Sequence, residues 1–215
     1  MNGRFASKKM GRGLVWESSN EFAFLTLAEL DLDVTEIYAQ PMQLTLDTPS
    51  GQRRHIPDFA IIRNGLLELH EVKPDEDADN PRVLELAWSA TQFVAAHGAV
   101  YGLALAATLK AEPRLRRAQA VMRRLHDSVP DVVRMATISS LQDDGPCSIQ
   151  SLLEKTTRWN LRLEQVMTLI AHNAVFHDYG EDLTRHSIVA AERPPGHKQH
   201  LLPPPSAWRA GNVAA

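Results

Sequence analysis

The chain has 215 residues, 44% hydrophobic and 23% charged, which is the balance of an ordinary globular protein with room for one well-filled domain and a smaller second one. A formal net charge of -3 argues against indiscriminate nucleic-acid binding, and a single cysteine, Cys147, excludes an intrachain disulfide or a thiolate zinc cluster. No apolar run follows MNGRFASKKMGRG and the longest apolar stretch, 99–107, is far too short to span a bilayer, so no membrane association and a cytoplasmic location are expected.

Arg4, Lys8, Lys9 and Arg12 crowd residues 1–15, which read as a mobile basic arm. Ser18 followed by Glu21 is a capping-box pattern, and Phe22, Leu25, Leu27 and Leu30 continue it as a first helix ended by Asp31 and Asp33. YAQPMQLTL (38–46) alternates like a strand, DTPSG (47–51) turns the chain, and 52–56 is extended. FAIIR and LLELHEV then flank Asn64-Gly65, the strongest local signal for a two-residue hairpin loop. Pro74 and DEDAD close the second strand. Pro81 suits the first turn of a helix running to about His97, with Gly98 as its stop and Trp88 expected in the core. The stretch 99–107 lacks alternation, as a central buried strand does, and 114–126 reads as a basic helix. Hairpin, helix, strand, helix is an α/β pattern with a mixed sheet.

From Asp131 the texture changes. MATISS is expected as a short strand, Ser148 as the cap of SIQSLLEK, LRLEQVMTLIAHNAV as a second apolar-faced helix, and VFHDYGEDLTRHSIVA as a small hairpin around Tyr179-Gly180. Together they resemble a small winged-helix-like module. The tail holds Pro194, Pro195, Pro203, Pro204 and Pro205 and reads as extended or disordered. The expected organisation is a basic arm 1–15, a principal domain 16–130, a winged-helix-like domain 131–192 and a Pro-rich flexible tail 193–215.

With Asn64-Gly65 as the loop, Arg63 pairs with Leu66 and the residue numbers of every further pair sum to 129. Asp58 then lies opposite Glu71, with side chains about 4.5–5.5 Å apart, and alternation puts Leu67, Leu69, Glu71 and Lys73 on one face. Two carboxylates at that separation repel unless a cation or proton intervenes. Oxygen donors favour Mg²⁺, with Mn²⁺ able to substitute, and the Val72 carbonyl is a further oxygen ligand. Lys73 can orient or help deprotonate an attacking water and offset charge developing on a phosphate. This is minimum equipment for phosphodiester hydrolysis; an exposed salt-bridge ladder is the competing role for the same charges. Glu21 is a candidate third carboxylate, although its place in the capping box is a sufficient role by itself.

WESSNEFAFLTLAELDLDVTEIYAQP followed by RRHIPDFAIIRNGLLELHEVKP resembles the N-terminal catalytic domain of the TnsA-like endonuclease subunits of heteromeric cut-and-paste transposases. The matching blocks are Glu17, Ser18 and Glu21; Gln40 and Pro41; Pro57 to Phe59; and Glu71 to Pro74, spread over residues 15–75. The resemblance implies a PD-(D/E)xK nuclease domain over 16–130, with a restriction-endonuclease-like mixed sheet flanked by helices, and assigns Glu21, Asp58 and Lys73 to the active site beside Glu71. It also implies an enzyme that hydrolyses phosphodiester bonds of double-stranded DNA at the 5′ ends of a mobile element, working with a DDE transposase subunit and an AAA+ ATPase regulator. A restriction- or repair-type nuclease and a non-catalytic DNA- or protein-binding adaptor are the alternatives on the same fold. Gln40, Gln92, Arg114, Arg116, Arg117, Arg123 and Arg124 are candidate DNA or partner contacts, with a structural strand start for Gln40 and a solvated face for the arginines as the competing roles, and His70 is expected as a packing or surface residue.

Overall fold

The computed structural model describes residues 2–197 and 200–205, which fall into two units: residues 2–111 with 202–205, and the described residues of 112–201. The first unit opens with a hairpin, β1 (Gly3–Ser7) and β2 (Arg12–Trp16), followed by helix α1 (Ser19–Leu30). The segment expected as a mobile arm is therefore ordered, for a reason that lies in α1. Every residue from Ala23 to Leu30 is buried, and a helix buried on every side needs cover on every side. Phe5 and Trp16 of the hairpin meet Phe22 with ring centroids 5.9 and 5.3 Å apart, while Phe24 stacks on Phe59 at 4.7 Å. The hairpin also satisfies polar groups of α1. Buried Glu29 accepts hydrogen bonds from Ser7 Oγ and from the backbone N–H groups of Lys8 and Lys9. Lys9 Nζ donates to the carbonyls of Ala28, Asp31 and Val34 at 3.0, 2.5 and 2.6 Å, where the helix runs out of partners.

The strand expected over 38–46 is instead broken at Gln40-Pro41. Gln40 takes a φ of 46° and Pro41 has no N–H for a ladder, so β3 (Val34–Ala39) ends and β4 (Leu44–Thr48) begins a separate hairpin with β5 (Gly51–His55). Next, β6 (Phe59–Arg63) and β7 (Leu66–Lys73) pair antiparallel, Arg63 against Leu66 and Phe59 against His70, in the register set by Asn64-Gly65. Both turn residues have positive φ, 49° and 80°, which Asn and Gly tolerate best. Helix α2 (Pro81–Ala95), capped by Asn80, leads to β8 (Val100–Leu105), parallel to β7, and short α3 (Ala106–Leu109) follows.

The sheet order β3-β6-β7-β8 is mixed, with α1 packed on the face of Phe59 and His70. On the other face, α2 and the β4–β5 hairpin bury Leu44, Leu46, Ala60, Leu69, Ala87, Ala90, Val94 and Tyr101 together. This is the α/β, restriction-endonuclease-like arrangement of a mixed sheet flanked by helices. Two expectations change. Trp88 is 37% exposed, because Ala87, Ala90 and Val94 form the buried stripe of α2. And β8 is an edge strand, its apolar run covered by part of the tail. The Pro205 Cβ lies 2.4 Å from where a Cβ on Gly102 would stand, and the Leu202 N–H donates to Asp31 Oδ2 at 2.9 Å. Prolines suit that place, since they offer no N–H to a further strand. Residues 202–205 are thus packed rather than free; the rest of the expected flexible tail at 198–199 and 206–215 lies outside the described residues.

The second unit contains α4 (Arg114–Met122), α5 (Asp131–Asp144), β9 (Cys147–Ser148), α6 (Ile149–Lys155), α7 (Leu163–Ala171), β10 (Phe176–His177) and β11 (Ile188–Ala190). Its three strands pair antiparallel in the order β10-β11-β9. MATISS is helical, not a strand: Val133, Thr137 and Leu141 are buried at four-residue spacing, one stripe of a helix. Ser148 caps α6 by accepting from the Ser151 N–H at 3.1 Å. Ile149, Leu152, Val166, Leu169 and Val189 form the fully buried centre. Helix α4 belongs to this unit, so the division falls near 111 rather than 130; Leu115, Ala118 and Val121 are its buried face, and it packs on α7. Among the described residues, no helix is long and apolar enough to cross a membrane.

Candidate active site

The β6–β7 hairpin carries Asp58, Glu71 and Lys73 to one end of the sheet. The ladder closes at Phe59 and His70, and Asp58 continues it through its side chain: Oδ2 accepts the Val72 N–H at 2.7 Å. The Asp58 carbonyl accepts the N–H of Gln40, whose left-handed backbone aims it there, at 2.8 Å. Glu71 is buried, its Oε1 2.7 Å from Lys73 Nζ and its Oε2 3.5 Å from His55 Nε2. Glu21 sits in the first turn of α1, where its N–H donates to Ser18 Oγ and its Oε2 accepts the Glu17 N–H at 2.8 Å. Its carboxylate thus closes back on Glu17 rather than on Ser18. Glu17 Oε1 in turn accepts from Gln40 Nε2 at 3.2 Å.

Charge and burial act together on this group. Burial first, then the neighbouring charges of Glu71 and Glu21, push the Asp58 carboxyl up to about 7, against the Val72 N–H and Lys73, which favour its charged form. Burial alone would lower Lys73, but its hydrogen bond to Glu71 and the charges of Glu71, Asp58 and Asp77 prevail and hold it above the ordinary lysine value. Lys73 is therefore an ammonium, a donor rather than a base. Glu71 Oε2 is buried without a hydrogen-bond partner among the described residues. A crowded, incompletely satisfied pair of carboxylates is the donor set that a hard divalent cation completes, so Asp58 and Glu71 fit Mg²⁺ or Mn²⁺.

Residues 31–104 match the family model described as TnsA-like endonuclease N terminal. The segment is a TnsA-like nuclease domain. A comparison with curated proteins found no match. The TnsA-like segment runs from the end of α1 through most of β8 and contains Asp58, Glu71 and Lys73, whereas Glu21 precedes it.

Two residues of the TnsA-like domain were not singled out by sequence reasoning. His55, at the end of β5, and Tyr101, in β8, are 7% and 2% exposed, and His55 Nε2 lies 2.9 Å from the Tyr101 hydroxyl. Burial holds His55 below the usual histidine range despite the pull of Glu71, and raises the Tyr101 phenol, an effect that Glu71 and Asp58 reinforce. The only sequence signal was an imidazole three residues before Asp58. Glu71, Lys73 and Tyr101 also line a cleft of about 230 Å³ whose other charged walls are Arg53, Arg82 and Glu85.

The remaining expected residues lie elsewhere. His70, on the opposite face from Glu71, is 2% exposed, hydrogen-bonded to Glu68 and 5.0 Å from the Phe24 ring centroid, a packing residue. Gln92 is exposed on α2. The five arginines belong to the second unit. There Arg116 and Arg117 both pair with Asp182, at 3.0 and 2.8 Å, Arg124 pairs with Asp127 at 3.1 Å, Arg123 is exposed and Arg114 is partly buried.

Proposed function

We propose that the first unit is a Mg²⁺-dependent DNA endonuclease whose cutting centre is Asp58, Glu71 and Lys73, with Glu21 as a further carboxylate. The observation that carries this reading is the pairing of Asp58 with the Glu71–Lys73 strand inside a TnsA-like domain, with one Glu71 oxygen buried and unsatisfied. Asp58, Glu71, Glu21 and the Val72 carbonyl would hold the metal. When bound, it supplies Lewis-acid polarisation of the scissile phosphate and acidifies water. The chain's own residues do the rest. The Val72 N–H and the Gln40 contact fix Asp58 just before the start of β6. Lys73, held charged by Glu71, directs its ammonium at the charge that develops on the phosphate and positions the attacking water. Arg53 and Arg82, on the cleft walls, give flanking phosphates cations to rest on.

The biological reading follows from the family. The chain acts as the subunit that cuts at the 5′ ends of a mobile element, leaving 5′-phosphate and 3′-hydroxyl ends, beside a DDE transposase subunit and an AAA+ regulator. The second unit, whose elements from α5 onward run helix–strand–helix–helix–strand–strand, serves as a winged-helix-like module for DNA or partner contact; its exposed Arg123 and surface Arg116 and Arg124 are candidate contacts along with Arg114 and Arg117, as is Gln92 of the first unit. A nicking assay on element-end DNA, with Mg²⁺ and the partner proteins, tests this. Asp58→Ala and Lys73→Ala are expected to lower the rate by at least about 10²–10³-fold. Cleavage that survives both changes means that the centre is elsewhere, and wild-type protein that binds the complex without cutting means an adaptor.

A further inference from the structure

His55 and Tyr101 have no part in the hydrolysis described above, yet both are buried beside its carboxylate. Their placement is not local. His55 ends a two-stranded hairpin outside the main sheet, while Tyr101 stands in β8 opposite Leu69 of β7. The rings meet edge-on with centroids 5.8 Å apart, and His55 Nε2 faces the Tyr101 hydroxyl at 2.9 Å and Glu71 Oε2 at 3.5 Å. A nitrogen lone pair directed at a carboxylate oxygen repels it and an N–H attracts it, so Glu71 favours the tautomer with its proton on Nε2, whose one N–H then donates to the Tyr101 hydroxyl oxygen and leans towards Glu71 Oε2. Lys73 already holds Oε1 at 2.7 Å, leaving Oε2 as the oxygen whose direction is otherwise unfixed.

We propose that His55, seated on the Tyr101 hydroxyl, is a positioning residue that orients the Glu71 carboxylate for a divalent cation at the Asp58–Glu71 site. The inference rests on the metal-site reading above. Lys73 hydrogen-bonds Glu71 at Oε1, while the His55 N–H, 3.5 Å from Oε2, attracts that oxygen electrostatically without satisfying it. Without His55 the carboxylate rotates onto the Lys73 ammonium and turns away from Asp58. Removing an outer partner of this kind typically weakens metal binding by about 10–100-fold.

Calorimetric titration of the full chain with Mn²⁺ alone, paired with urea unfolding of each variant, tests the proposal. His55→Ala is expected to weaken Mn²⁺ binding about 10–100-fold. His55→Gln, whose amide N–H reaches the position of Nε2, is expected to restore most of that loss. Tyr101→Phe is expected to bind more weakly than wild type while remaining folded, and it decides the matter if His55→Ala does not fold. Glu71→Ala separates the two levels. Undiminished Mn²⁺ binding in Glu71→Ala removes the metal-site reading itself. Loss of binding in Glu71→Ala together with wild-type affinity in His55→Ala or Tyr101→Phe, or equal impairment of His55→Gln and His55→Ala, overturns the role of His55 and leaves that reading standing.

Discussion

Asp58 carries a proton at a pH where an ordinary aspartate has lost it, because burial and the charges of Glu71 and Glu21 all oppose its ionisation. Its folded-state value, about 7, lies above its unfolded value of 3.8, so the stability it contributes is full below that lower value and is lost as pH rises through about 7. Asp58→Asn cannot ionise. In chelator, its melting temperature is therefore expected to lie closest to the wild type below about pH 4 and to exceed it progressively as pH rises to about 7; a constant difference across that range contradicts the crowding of Asp58. Divalent cation should narrow the gap at pH 8, since it binds the ionised wild-type site. Lys73 is predicted to remain an ammonium over the same range, which makes Lys73→Ala a loss of charge rather than of a base. The register that carries Asp58, Glu71 and Lys73 to one end of the sheet was legible in the sequence because one two-residue turn sets it, although the ladder closes at Phe59–His70 and Asp58 reaches the Val72 N–H with its side chain. His55 was not, because its partner Tyr101 lies 46 residues away and is brought to it only when the sheet and the second hairpin assemble.

At the scale of elements, a buried polar chain joins α1 to the β6–β7 hairpin. Arg63, 5% exposed, donates to Asp31 Oδ2 at 3.0 Å and Glu68 Oε1 at 3.0 Å, and Glu68 Oε2 accepts from His70 Nε2 at 3.1 Å. Burial would raise Glu68, but its bond to His70 and the nearby Arg63 hold it below the usual carboxylate range. Removing one member of a buried ion pair strands the others, so Arg63→Met is expected to cost about 3–5 kcal/mol in urea unfolding. A change under about 1 kcal/mol, the scale of an exposed pair, contradicts the network. The Glu68 contribution is present above the unfolded carboxylate value and fades as pH falls below it. Local signals read these elements unevenly. Ser18, Ser148 and Asn64-Gly65 act within a few residues and were legible. The hairpin at Gly3–Ser7 and Arg12–Trp16 was hidden by its basic residues, because what orders it is the all-round apolar surface of α1. MATISS carries β-branched residues that favour a strand locally, and only its four-residue burial period in the folded unit makes it a helix.

For the whole molecule, the fold class was legible from the alternation of strand and helix signals, while the division near 111 was not, because the apolar face of α4 finds its partner in α7, far along the chain. The TnsA-like domain supplies the nuclease fold, and the proposed metal centre sits where β6 begins and β7 ends, with its charge held in balance by Lys73. The modest net charge of -3 argues against indiscriminate attraction to DNA. The most direct test of the centre is the anomalous scattering of Mn²⁺ in crystals of the full chain. The expected result is a peak about 2 Å from carboxylate oxygens of both Asp58 and Glu71. Crystals that hold Mn²⁺ elsewhere and leave this pair without it would contradict the account.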